Sequence, residues 1–135
     1  MIARDAVITA IDFETTGVME DLPSEPWQIG MVGMRGGAVD GSRQFMSLLR
    51  VGDRPFNPHA PGNHHKLRSE IAEAPTTGDL WPELKKWWLG APLAAHNISV
   101  EKNLIQAAAP LHSPGPWIDT LKLARVAYPA LESHT

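Results

Sequence analysis

Cysteine is absent from the 135 residues, so the chain can form neither disulfide bonds nor thiolate metal sites. No apolar run approaches the roughly 20 residues that a membrane-spanning helix needs. The opening MIARDAVITA also lacks the basic, long apolar and small-residue regions of a signal peptide. These absences make a reducing, cytoplasmic location the simplest expectation, although a chain without cysteine is compatible with any compartment.

Clustered positive charge is missing too. Lys and Arg number 12 against 15 Asp and Glu, which gives a net charge of −3, and the densest basic stretch is the pair Lys85 and Lys86. A protein that holds a long duplex by electrostatics usually carries a basic face. We therefore expect any nucleic acid to be gripped locally, at a few phosphates, with a bound metal ion as one means of doing so.

Length and hydrophobic pattern together predict one α/β domain over residues 1–135. Apolar and β-branched runs predict strands over 6–16, 27–37, 42–51 and 91–97. Apolar residues at helical spacing predict helices over 76–90, 99–110 and 117–129, and a loop rich in proline and histidine is expected over 52–66. Short Gly-rich connections make the first three strands an antiparallel meander, and the fourth strand follows a helix. We therefore expect a mixed sheet with flanking helices.

Two carboxylates lie within AIDFETTG, residues 10–17, a stretch that is otherwise typical of a buried strand. Asp12 and Glu14 are two residues apart, so in a strand both side chains project from the same face. Like charges this close raise each other's pKa unless a cation lies between them, and Mg²⁺ and Mn²⁺ prefer such oxygen ligands. Alternatively, the strand ends early and both acids lie in a solvated loop. Spacing alone favours neither interpretation.

The residues after these acids, and a second segment, extend the candidate site. Thr15, Thr16 and Gly17 offer hydroxyls, backbone N–H groups and a glycine that a ligand can approach closely, which would suit a metal-bound phosphate. In AAHNISVEKNL, Glu101 lies in the first turn of a predicted helix, where the helix dipole alone favours a carboxylate by roughly 0.3–1 kcal/mol. Glu101 thus has two interpretations. It is structural, or, if the strand that precedes its helix lies beside the first strand, it is part of the acidic site.

Four segments together resemble a known family. IDFETTG, IGMVGM, LAAHNISVEK and WIDTLKLAR occur in the order found in the DnaQ-like 3′–5′ exonucleases of the DEDD superfamily, His branch, and the resemblance runs from about residue 6 to residue 131. It implies a ribonuclease H-like fold and metal-dependent hydrolysis at the 3′ end of single-stranded DNA or RNA. It also implies that Asp12 and Glu14 bind two divalent ions, Mg²⁺ or Mn²⁺, with Asp12 bridging them and Glu101 completing one side.

The same resemblance nominates residues that would contact a terminal nucleotide or a nucleoside monophosphate. The nucleotide contacts that it implies are Thr15, Thr16, Gly17, Leu67, His96 and Asn97. Leu67, in the segment HHKL, would wedge beside the last bases, and Asn97 would hold the edge of the site.

The sequence departs from the family pattern at two points. Glu101 stands where the family usually has aspartate, and the third catalytic motif, a histidine followed five residues later by an aspartate, is missing. The sequence ends with YPALESHT, about where the family begins the helix before that motif. We therefore expect a domain incomplete at its C-terminus that is weakly active or inactive, with self-association through the surface that the missing helix would cover.

Two alternatives to a catalytic assignment remain at this point, and one of them is that the chain is only a folded remnant of an exonuclease. The chain could be a non-catalytic nucleic-acid- or protein-binding module derived from an exonuclease. Individual residues also have structural interpretations. Asp119 precedes TLKLAR and is expected to be a helix N-cap, and the tryptophans are expected to be packing residues, namely Trp81, Trp87, Trp88 and Trp117.

Overall fold

A computed structural model describes residues 3–135, so the first two residues of the predicted domain 1–135 lie outside the described part of the chain. Five strands occur in the order β1 Val7–Thr15, β2 Pro26–Arg35, β3 Ala38–Leu48, β4 Leu93–Ala95 and β5 Trp117–Asp119. Four helices accompany them: α1 Arg68–Ala72, α2 Trp81–Trp88, α3 Ile98–Ala108 and α4 Thr120–Ala127. Single turns of 3-10 helix occur at Ala3–Asp5 and His64–Lys66.

The strands form one mixed sheet in the order β3-β2-β1-β4-β5. β2 pairs antiparallel with both β1 and β3, whereas β4 pairs parallel with β1 and β5 pairs parallel with β4. The predicted meander and the predicted mixed sheet are confirmed. Because β4 lies beside β1, the residues that follow β4 are brought to the same edge of the sheet as the end of β1.

The prediction of one helix over 117–129 is wrong in its first turn. Residues Trp117–Asp119 form β5, and the helix begins at Thr120. A strand of three residues is too short to show an alternating pattern, and its apolar residues continue smoothly into the helical spacing that follows. A short helix, α1, and the turn His64–Lys66 also lie in or beside the segment that was expected to be loop.

The main core lies on one face of the sheet. Ile11 and Phe13 of β1 are buried against Leu84 and Trp88 of α2 and Ile105 of α3. All four tryptophans expected to be packing residues belong to this cluster or pack against it, which confirms that interpretation. A second cluster joins β2 to α1 through Trp27, Val51 and Ile71.

None of the helices between residues 3 and 135 is both long enough and apolar enough to cross a bilayer.

Candidate metal and nucleic-acid site

The acidic pair lies on the face of β1 opposite the core. The strand continues to Thr15, so Asp12 and Glu14 both lie in regular strand and share a face, while Ile11 and Phe13 point the other way. Gly30 of β2 lies opposite Asp12, and Gln28 lies opposite Glu14. The geometry therefore favours the paired arrangement over the alternative of a solvated loop.

The side chain of Glu14 lies against the loop 52–66. A methyl group added to Gly62 would lie 2.7 Å from Cζ2 of Trp27 and 3.3 Å from Oε2 of Glu14, so the loop backbone passes close to both side chains. Partial burial raises the pKa of Glu14, and the negative charge of Asp12 raises it further. A cation placed between the two carboxylates would reverse both effects.

Glu101 is the buried member of the site. It is 5% exposed, and its Oε2 atom has no hydrogen-bond partner in the described part of the chain. Burial raises the pKa of Glu101, and the charges of Asp12 and Asp119 add to this, while the backbone N–H groups of Phe13 and of Glu101 itself partly offset it. A buried carboxylate oxygen without a partner, beside other acids, fits a hard divalent cation.

Asp12, Glu14 and Glu101 lie near one another but do not form a complete set of metal ligands. Asp12 is near enough to perturb both Glu14 and Glu101. Nevertheless, no group of three His, Asp or Glu side chains between residues 3 and 135 is arranged as a ready metal site. Three carboxylates as donors suit a hard divalent cation.

The three residues after Glu14 are placed differently from one another. Thr15 is partly exposed, and its Oγ1 accepts a hydrogen bond of 3.3 Å from the N–H of Gly17. Gly17 has φ +79° and packs tightly against Asn57, a conformation that favours glycine. Thr16, predicted to contact a nucleotide, is fully buried, and its hydroxyl accepts the N–H of Glu25. Its side chain therefore faces the protein and not the candidate site.

His96 and Asn97 link the end of β4 to the start of α4. Nδ1 of His96 lies 3.0 Å from Oγ1 of Thr120, and Nε2 contacts the carbonyl oxygen of His134. Asn97 has φ +69°, and its N–H donates to Oδ1 of Asp119 at 3.2 Å. Both residues are exposed at the edge of the sheet that also carries the acids.

Asp119 is confirmed as the N-cap of α4. Its carboxylate accepts the backbone N–H groups of Leu121 and Lys122 at 3.0 and 3.4 Å. Although desolvation raises the pKa of Asp119, these N–H groups together with those of Asn97 and Ile98 outweigh it, so the pKa is lowered.

Leu67 belongs to the second hydrophobic cluster. It is partly buried and packs against the cluster of Trp27, Val51 and Ile71, between the 3-10 turn and α1. The structure therefore brings Asp12, Glu14 and Glu101 together and packs Leu67 against Trp27, Val51 and Ile71.

Sequence reasoning missed the residues that support the end of β1. Nε1 of Trp27 donates to the carbonyl oxygen of Thr15 at 3.1 Å. Arg54 forms an ion pair of 2.8 Å with Glu25, which itself contacts Thr16. The two residues of each contact are 9 to 29 positions apart in the sequence, and no short motif marks them.

A family model described as Exonuclease (RNase_T) matches residues 9–135 of the chain. The chain belongs to this exonuclease family. Exodeoxyribonuclease 10 of Escherichia coli K12 is 32% identical to this exonuclease domain over 89 residues, which are 64% of the chain and 36% of that protein. The chain thus spans little more than a third of its curated relative.

Solved structures show the same fold. A metal-free complex of E. coli exonuclease I with single-stranded DNA superposes with a TM-score of 0.69 at 12% identity, covering 92% of this exonuclease domain and 30% of that chain. Cell-death related nuclease 4 superposes with a TM-score of 0.68 at 15% identity, covering 98% of this chain and 52% of that one. At these identities the likeness establishes the fold, a mixed sheet of the ribonuclease H type.

Proposed function

We propose that this chain is the metal-binding part of a 3′–5′ exonuclease domain that acts on the end of single-stranded DNA or RNA. Asp12, Glu14 and Glu101 would hold Mg²⁺ or Mn²⁺. The observation that carries the proposal is the buried Oε2 of Glu101, which has no hydrogen-bond partner among residues 3–135 and lies beside the same-face pair of β1.

Within this proposal the metal supplies an activated water and charge stabilisation at the scissile phosphodiester. Asp12 and Glu14 provide oxygen ligands on the open face of the sheet, and Glu101 provides one from the buried side. Thr15 and Gly17 lie next to them at the end of β1, where a terminal nucleotide or a nucleoside monophosphate would approach. His96, Asn97 and Leu67 remain proposed nucleotide contacts at the margin, whereas the buried Thr16 supports the site from within.

The histidine general base that the family resemblance implies has no counterpart in this sequence. None of its six histidines is followed five residues later by an aspartate. Loss of a general base typically costs about 10²–10⁴-fold in rate. We therefore propose that the chain by itself binds the ion and a nucleotide but hydrolyses nucleic acid slowly or not at all.

A second candidate function is a binding module without catalysis. The lack of a ready three-ligand cluster between residues 3 and 135 is the observation that favours it. Calorimetric titration with Mn²⁺ and then with a nucleoside monophosphate separates the two candidates, because only the exonuclease proposal requires both to bind.

The open face of the sheet bears on self-association. A groove of about 580 Å³ runs beside Asp12, lined on its apolar side by Ala10, Gly30, Val32 and Met46. Met46 is 72% exposed there. We propose that two copies associate through the surface that the missing C-terminal helix would cover, and that this groove is part of that surface. The cytoplasmic location expected from composition stays a prediction.

A nuclease assay tests the main proposal. The protein is incubated with Mn²⁺ and single-stranded DNA or RNA labelled at the 5′ end, with the Asp12→Ala variant prepared in the same way. We expect slow shortening from the 3′ end, or none, and no shortening by the variant. Degradation of equal rate by both proteins would place the activity elsewhere.

A further inference from the structure

The ladder between β1 and β2 is irregular at the acidic site. Its register shifts between Glu14 and Thr15, so that Glu14 pairs with Gln28 and Thr15 with Pro26. A shift of this kind bends a strand and changes the direction of the side chains beside it. The direction of the Glu14 carboxylate therefore depends on what holds the chain just after the shift.

Thr16 is held there by Glu25. The N–H of Thr16 donates to the carbonyl oxygen of Glu25 at 2.8 Å, and the N–H of Glu25 donates to Oγ1 of Thr16 at 3.0 Å. On the other side, the N–H of Asn57 donates to the carbonyl oxygen of Thr16 at 2.8 Å, and Nδ2 of Asn57 donates to the carbonyl oxygen of Val18 at the same distance. The chain after Glu14 is thus clamped between two loops.

Arg54 joins these two loops. It belongs to the loop that contains Asn57, its side chain is only 10% exposed, and its Nη1 donates to Oε2 of Glu25 at 2.8 Å and to the carbonyl oxygen of Pro23. Arg68 in turn donates to the carbonyl oxygen of Arg54 at 2.9 Å. One guanidinium therefore fixes the segment that holds Thr16.

We propose that Arg54 and Glu25 are positioning residues, whose side-chain hydrogen bond of 2.8 Å fixes the shifted end of β1 and thereby directs Glu14 toward the metal ion. The inference rests on the proposed function, because it needs Glu14 to be a metal ligand. Neither side chain would touch the metal or the nucleic acid. Groups that hydrogen-bond directly to metal ligands typically contribute about 10–100-fold to metal affinity. Glu25 acts through Thr16, two residues beyond Glu14, so we expect an effect at the lower end of that range.

The test uses Mn²⁺ alone, with the free ion followed by electron paramagnetic resonance. Glu25→Ala removes the partner of Arg54, and Glu25→Gln removes the same charge while keeping an oxygen that can accept the Arg54 hydrogen bond. Glu73→Ala is the control, since Glu73 is an exposed acid whose side chain forms no hydrogen bond or ion pair in the described chain. The backbone bonds between Glu25 and Thr16 do not need the Glu25 side chain.

We expect Glu25→Ala to weaken Mn²⁺ binding about 10-fold, and Glu25→Gln and Glu73→Ala to stay within about twofold of the parent. Amide hydrogen exchange at Thr16 and Gly17 should be faster in Glu25→Ala alone. If the parent binds Mn²⁺ and Glu25→Ala binds it equally well, the positioning role is overturned while the proposed function stands. Equal weakening by Glu25→Gln would assign the effect to charge and also overturn it. A parent that binds no Mn²⁺ overturns the proposed function and this inference with it.

Discussion

The two faces of β1 differ sharply although they alternate along the same nine residues. Ile11 and Phe13 on one face are 4% and 7% exposed and belong to the core cluster that includes residues of α2 and α3. Asp12 and Glu14 on the other face point toward a groove that no helix covers among residues 3–135, with Asp12 itself exposed. Burial stabilises the apolar side chains of the first face, whereas the carboxylates of the second face repel one another.

This difference indicates which residues fold the domain and which serve the site. Burial of apolar side chains supplies most of the free energy of folding. Neighbouring carboxylates oppose folding until a cation joins them. Substitutions on the two faces should therefore have separable effects on stability and on metal binding.

Phe13→Ala should have the largest effect on stability. Deleting a buried phenylalanine side chain leaves a cavity and typically costs about 3–5 kcal/mol in the free energy of unfolding. Urea denaturation measures this loss. Mn²⁺ affinity of the variant at a temperature where it is folded should be close to that of the parent. A variant that keeps its stability but loses Mn²⁺ binding would break the separation of the two faces.

Glu101→Gln should moderately raise the free energy of unfolding of the metal-free protein, whereas Phe13→Ala lowers it. The pKa of Glu101 in the folded state is raised above its ordinary value of 4.5. Just above pH 4.5 the folded protein therefore keeps a proton on Glu101 that the unfolded protein has released. Stability therefore falls as the pH rises through and above that value, and the glutamine variant, which cannot ionise, escapes this loss.

We expect Glu101→Gln to be more stable than the parent at pH 7 and equal to it at pH 4. Denaturation in EDTA at both pH values measures this, with the exposed Glu132→Gln as the control. A gain of the same size at pH 4 would show that ionisation of Glu101 is not the cause.

Met46→Ser should have the smallest effect on stability, within about 0.5 kcal/mol, because the side chain is 72% exposed. Its effect on association should be larger. Light scattering over a concentration series should show less dimer for the variant than for the parent. A parent that is monomeric throughout would remove self-association from the account.

The alternation of β1 could be predicted from the sequence because it depends only on the period of a strand. The same holds for Asp119, whose capping role follows from its position before α4. The parallel placement of β4 beside β1 was a conditional expectation, and it is this placement that brings Glu101 near Asp12.

The support of the site could not be predicted because it depends on tertiary contacts. Thr16 lies two residues after Glu14 and its hydroxyl suggested a ligand contact, yet in the structure Thr16 is buried and hydrogen-bonded to Glu25 and Asn57. Arg54 reaches Glu25 across 29 residues of sequence. The strand β5 escaped prediction for a local reason, since three residues carry too little pattern to separate them from the helix that follows.

Mn²⁺ titration of the parent and of Asp12→Asn tests the central claim most directly, namely that β1 and α3 together present carboxylates to a divalent ion. We predict saturable binding by the parent and a loss of at least about 10-fold in affinity for the variant, with the free energy of unfolding changed by less than about 0.5 kcal/mol. Equal affinity of the two folded proteins for Mn²⁺ would contradict the account.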